Sequence, residues 1–97
     1  MRIARVIGSA VSTIKAGSLH GTKLLVVQLA TPGDQLLDEA PFVAVDAVGA
    51  GQGELVLLSE GSAGRYTSLT RDAPVDAVIL AILDSLEVGG ETTFYKS

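Results

Sequence analysis

Between Asp46 and Leu58 the chain reads Asp-Ala-Val-Gly-Ala-Gly-Gln-Gly-Glu-Leu-Val-Leu-Leu, with Gly49, Gly51 and Gly53 at alternate positions. Glycine loses the most backbone freedom on folding and offers no side chain to pack. Three in five residues therefore mark a segment whose dihedrals or close contacts exclude a Cβ. The flanks are short β-branched and aliphatic runs, one ending at Val45 and one at Leu55 to Leu58, which read as strands. The feature is a shaped loop between two strands. A dinucleotide fingerprint is excluded, because it needs Gly-x-Gly-x-x-Gly at a strand-to-helix turn, and here the pattern is Gly-x-Gly-x-Gly-Glu, running into a strand.

Other strands assemble around this loop. Arg2 to Val11 is rich in Ile and Val and interrupted by Gly8 and Ser9, the sign of one long strand bent at a bulge. Ser12 to Gly21 is polar with two glycines and reads as a connection. Lys23 to Leu29 is apolar at nearly every position, which predicts cover on both faces, by the core on one side and by another chain on the other. Thr31-Pro32-Gly33-Asp34 has turn chemistry, Gln35 to Ala40 continues as a polar loop, and Pro41 opens a strand over Phe42 to Asp46. Ser59 to Arg65 is short-residue sequence that reads either as an ordinary loop or as free backbone N–H groups for an anion or another subunit's backbone, and Tyr66 to Asp72 reads as a connection. From Pro74 to Leu86 the pattern predicts a helix, with proline in the first turn, Asp76 near the positive end, and Val75, Val78, Ile79, Ile82 and Leu86 at helical spacing. Ala77, Leu80, Ala81 and Leu83 make it apolar all round, so it is expected to be buried on two sides. Gly89-Gly90 ends this helix or turns the chain, and Glu91 to Lys96 reads as a last strand. No repeat or linker divides the sequence, and residues 1–97 read as a single domain.

Composition narrows what such a domain does. At 97 residues a chain buries roughly 60 to 70 per cent of its unfolded surface. With 47% hydrophobic residues, 4% aromatic and no Trp, its core must be Val, Leu, Ile and Ala, and aliphatic surface is left over for subunit contacts. The net charge of −4 and the scattered basic residues lack the basic stripe that binds nucleic acid. There is no cysteine, hence no disulfide framework or thiolate metal site, and no spacing of metal ligands. No membrane span and no signal-type apolar core is present, so the expected compartment is the cytosol.

Catalytic patterns are equally thin. Ser62 lacks the glycine two positions before it that a nucleophile elbow requires, and the single histidine, His20, lies in a connection without an evident partner. Asp46 and Glu54 bracket the glycine loop as the carboxylate pair of a glycosidase brackets its substrate. Acids at strand ends more often accept hydrogen bonds from loop N–H groups or pair with an arginine such as Arg65, and that structural role is the expectation. Neither a catalytic residue, a cofactor nor a metal is assigned.

Several ordered motifs resemble the bacterial microcompartment vertex proteins, the EutN/CcmL family, over essentially the whole chain. They are Met1, Ile3, Val6, Gly8, Val11, Ser12 and Thr13; Gly21, Lys23, Leu24, Leu25 and Val27; Val45-Asp46-x-Val48-Gly49-Ala50-Gly51-x-Gly53-Glu54-x-Val56-Leu57; Gly61-Ser62-Ala63; and Pro74-Val75-Asp76-Ala77 with Ile79, Ile82 and Asp84. The chain departs from the family's common Gly-Ser-Ser-Ala-Arg at Gly61-Ser62-Ala63-Gly64-Arg65, so no role is given to hydroxyls there. The resemblance implies a mainly β fold: a small closed five-stranded barrel of the oligonucleotide/oligosaccharide-binding type with one short helix, assembled as a cyclic homopentamer. It implies a structural shell protein, not an enzyme. Its place is a microcompartment shell in the cytoplasm, its partners its own copies and hexameric or pseudohexameric shell proteins, with no nucleic acid or membrane.

A flat layer of sixfold tiles cannot close without fivefold units, which is the need such a part meets. On this reading Gly49, Gly51, Gly53, Gly61 and Ser62 are candidates for the symmetry axis and a narrow pore, because close approach of five backbones favours residues without side chains. Leu25, Val27, Val78, Ile82 and Phe94 are candidates for the subunit interface. The alternative from fold class is a nucleic-acid-binding barrel, which would need aromatic platforms and a positive groove; this chain has two Phe, two Tyr and a negative charge.

Overall fold

The first long strand, β1 (Arg2–Ala10), is β-branched and aliphatic at the positions that turn inward, so Ala4 and Val6 are buried while Arg2 and Arg5 point outward or to the rim. The computed structural model describes residues 1–11, 23–60 and 77–96. β1 pairs antiparallel with both β2 (Leu24–Ala30) and β4 (Leu55–Glu60), and its register with β2 shifts between Val6 and Gly8. The predicted bulge is thus real, and it lets one strand serve two neighbours round a curved wall.

β3 (Phe42–Asp46) lies antiparallel to β2, and β5 (Ala77–Ile82) closes the circle, parallel to β3 and antiparallel to β4. The order β1-β2-β3-β5-β4 is a closed barrel, which leaves no barrel edge unpaired. Its interior is aliphatic: Ala4, Val6, Leu25, Val27, Leu29, Ala44, Val56, Leu58 and Ile79 pack together, with Ala50 of the glycine loop inserted among them. No Trp is needed to fill so narrow a barrel.

The predicted helix over Pro74–Leu86 is corrected by the structure. Residues 77–82 form strand β5, and Ser85–Val88 form a further strand, β6; no helix occurs among the described residues. A run apolar at every position fits a strand covered on both faces as well as it fits a buried helix, and the β-branched Val78, Ile79 and Ile82 favour the strand. Barrel closure decides between them, since without β5 the edges of β3 and β4 stay open. Pro74 and Asp76, which carried the helix-start signal, lie outside the described residues, as do the expected connections over residues 12–21 and 66–72.

β6 pairs with β7 (Glu91–Tyr95) in a separate two-stranded sheet. Gly89 and Gly90 join them with φ of 61° and 83°, both left-handed. Two central residues with positive φ make the two-residue hairpin turn that matches strand twist, and only glycine occupies both without strain.

Candidate functional site

The glycine loop leaves β3 at Asp46, whose buried carboxylate organises the turn over Val48 to Ala50. Its Oδ1 accepts the backbone N–H groups of Val48 at 3.0 Å, Gly49 at 3.0 Å and Ala50 at 3.2 Å. The acid therefore folds the chain round itself, as Asx turns do. Lys23 Nζ donates to Ala50 O at 3.0 Å from the opposite side. Gly49 and Gly53 take φ of 81° and 90°, so the backbone itself demands glycine there.

Glu54 closes the loop. Its Oε1 accepts Gly51 N–H at 2.7 Å, its own N–H donates to Gly51 O at 3.2 Å, and its Oε2 meets Lys96 Nζ at 2.6 Å. The Lys96 ammonium and then the Gly51 N–H hold the Glu54 carboxyl below its ordinary value, and Glu54 in turn raises Lys96. The loop is fastened to the β1 bulge as well: Gly53 N–H donates to Val6 O at 2.8 Å, Val6 N–H to Glu54 O at 2.9 Å, and Arg5 Nη1 to Gly53 O at 2.7 Å. Arg5 also pairs with Asp34 and lies 5.7 Å from the centre of the Phe94 ring. Asp34 sits in the predicted turn, where its N–H donates to Thr31 O at 3.0 Å.

Both acids thus accept hydrogen bonds from loop N–H groups, and neither presents a free carboxylate pair to a substrate. Arg65, the cation expected beside these acids, lies outside the described residues, and Lys96 is the cation that pairs with Glu54. Nothing in sequence spacing signals a pair so far apart along the chain, nor the roles of Arg5 and Lys23.

Of the axis candidates, Gly49, Gly51 and Gly53 come together on one loop at one end of the barrel, whereas Gly61 and Ser62 lie outside the described residues. Gly51 stands apart from its two neighbours. Its φ is not left-handed, and a Cβ there would lie 3.4 Å from Glu54 Oε1 at the nearest, an ordinary contact at the end of a flexible side chain. Among the described residues, then, neither dihedral nor crowding requires glycine at this position.

The interface candidates divide. Leu25 and Val27 are 2% and 0% exposed inside the barrel, and Val78 is 0% exposed beside Val45 on the other face of the sheet. All three side chains are thus covered within the subunit. The reason is the strand period of two: Leu24 and Val26 point outward and are half-buried, next to the exposed Val43, which stands opposite Val26 across the strands. Ile82 packs against the edge of the core, and Phe94 is half-buried beneath Arg5.

A family model described as "Ethanolamine utilisation protein EutN/carboxysome" matches residues 1–84. The carboxysome shell vertex protein CcmL of Synechococcus elongatus is 46% identical over 96 residues, covering 99% of this chain and 96% of that protein. The solved structure of Gloeobacter violaceus CcmL superposes with a TM-score of 0.90 at 42% identity, covering 99% of this chain and 98% of the other. The pentameric microcompartment shell protein GrpN of Rhodospirillum rubrum superposes with a TM-score of 0.79 at 43% identity, covering 91% and 99%.

Proposed function

This chain belongs to the EutN/CcmL family, and we propose that residues 1–97 act as one vertex domain, five copies of which close into a ring at the fivefold corners of a bacterial microcompartment shell. The observation that carries this reading is likeness to shell vertex proteins along nearly the full length of both chains, in sequence and in fold. The protein's place is accordingly the shell, and its role is structural.

In that ring the glycine loop faces the axis. Gly51 supports this placement, since its lack of a side chain has no cause among the described residues of one subunit and finds one where neighbouring backbones approach closely. Neighbours cover the outward aliphatic side chains Leu24, Val26 and Val43, and Ile82 and Phe94, both half-buried, add to the surface available for contact. The partners beyond the ring are sixfold shell proteins, which form the flat facets. A narrow opening lined by the loop would run along the axis. Catalysis is not part of the role: Asp46 and Glu54, the acids best placed for it, are committed to holding the loop.

Co-production with a sixfold shell protein, then electron microscopy, tests the function. Closed polyhedra with the chain, and open sheets or tubes without it, are expected. Closure that is equally efficient without the chain would overturn the vertex role.

A further inference from the structure

The ribbon β6–β7 shares no strand pairing with the barrel. A two-stranded hairpin alone is at best marginally stable in water, so its position depends on what fastens it. Among the described residues the fastenings are made by side chains: Thr93 Oγ1 donates to Pro32 O at 2.6 Å, Phe94 lies under Arg5, and Lys96 reaches Glu54. Between ribbon and barrel lies a cleft of about 370 Å³, bordered by Arg5, Gln52, Glu54, Phe94 and Lys96. Side chains bridge it.

Two of these side chains also hold the glycine loop. Glu54 accepts Gly51 N–H with one carboxylate oxygen and Lys96 with the other. Arg5 donates to Gly53 O and covers Phe94. The same two groups therefore touch the loop on one side and the ribbon on the other.

We propose that Glu54, seconded by Arg5, is a clasp that couples the C-terminal ribbon to the glycine loop, so that displacing the ribbon loosens the Gly51 turn and loosening the loop frees the ribbon. A carboxylate held from both sides has one favoured orientation, and losing the ribbon-side partner leaves it free to rotate away from Gly51 N–H. Equilibrium coupling is reciprocal, so each side feels the release of the other equally. A partner that takes hold of the ribbon thereby reaches the loop. The coupling is a property of each subunit and does not require the ring, although in the proposed ring it would join the axial loop to the ribbon.

The test is residue-resolved amide hydrogen exchange on the full chain with Lys96→Met and Lys96→Arg. Lys96→Met alters a half-exposed side chain and leaves the core intact. The coupling predicts exchange at Gly51 faster by roughly two- to fivefold, the range an exposed ion pair commands, and recovery in Lys96→Arg. Glu54→Gln should speed exchange at Lys96 N–H, which donates to Asp84 O at the ribbon's base. An unchanged Gly51 in Lys96→Met overturns the coupling whether or not the ribbon loosens. So does a Gly51 response that Lys96→Arg fails to restore. Subunit stoichiometry, measured on the same samples, reports on the ring separately.

Discussion

Replacing Asp46 by alanine removes the carboxylate and leaves the three N–H donors that share its Oδ1 without their acceptor. The Ala50 N–H is buried, and an unsatisfied buried donor costs about 1 to 3 kcal/mol. Those of Val48 and Gly49 are only partly buried and find water, so each loses about 0.5 to 1 kcal/mol. The sum is about 2 to 5 kcal/mol. At about 4 °C or more per kcal/mol for a domain of this size, the midpoint of thermal unfolding should fall by at least about 8 °C. Asp46→Asn keeps a carbonyl oxygen at the same place and loses only the charge assistance, so it should cost about 1 kcal/mol. Differential scanning calorimetry at one fixed protein concentration makes the comparison, since oligomers unfold with a concentration-dependent midpoint. A midpoint for Asp46→Ala within about 2 °C of the parent would refute the idea that this acid builds the loop. Equal damage from asparagine and alanine would show that the accepted N–H bonds are not what matters.

Gly53→Ala forces a left-handed φ on a residue with a Cβ and should cost about 1 to 2 kcal/mol in chemical denaturation, with the slope unchanged. Gly51→Leu should leave the subunit folded by circular dichroism yet abolish assembly in sedimentation velocity; an intact ring would remove Gly51 from the axis. Leu58→Ala, in the barrel interior, should destabilise by about 2 to 5 kcal/mol in urea titration. The Glu54–Lys96 pair also sets a pH window. Because Glu54 titrates below its ordinary 4.5, its contribution is present above that value and lost as pH falls through the lowered one. Because Lys96 titrates above its ordinary 10.5, its contribution is present below that value and lost as pH rises through the raised one. Unfolding midpoints of the parent and Lys96→Met should therefore differ most between about pH 4.5 and 10.5 and converge outside it, with Arg5, Lys23 and Asp84 as the other charges nearby.

Local chemistry was legible wherever one residue type has one physical use. Gly8 announced the bulge, Gly89-Gly90 the reversal before the last strand, Thr31 to Asp34 the turn, and the alternate glycines a loop of special shape. What failed depended on distance. An apolar run such as Ala77 to Leu83 carries no period that separates a buried helix from a doubly covered strand, and only the open edges of β3 and β4 settle it. The outward face of a doubly apolar strand was not legible either, since Leu25 and Leu24 are equally aliphatic and only the pleat decides which of them faces the barrel. The Lys96–Glu54 pair has no local signature at all, because tertiary folding brings its members together from distant parts of the chain.

The most direct test of the vertex reading is native mass spectrometry of the purified chain at low micromolar concentration. A dominant species at five times the 9.9 kDa subunit mass is the predicted result. A stable monomer under the same conditions would contradict it, leaving Leu24, Val26 and Val43 uncovered and Gly51 without a neighbour to explain it.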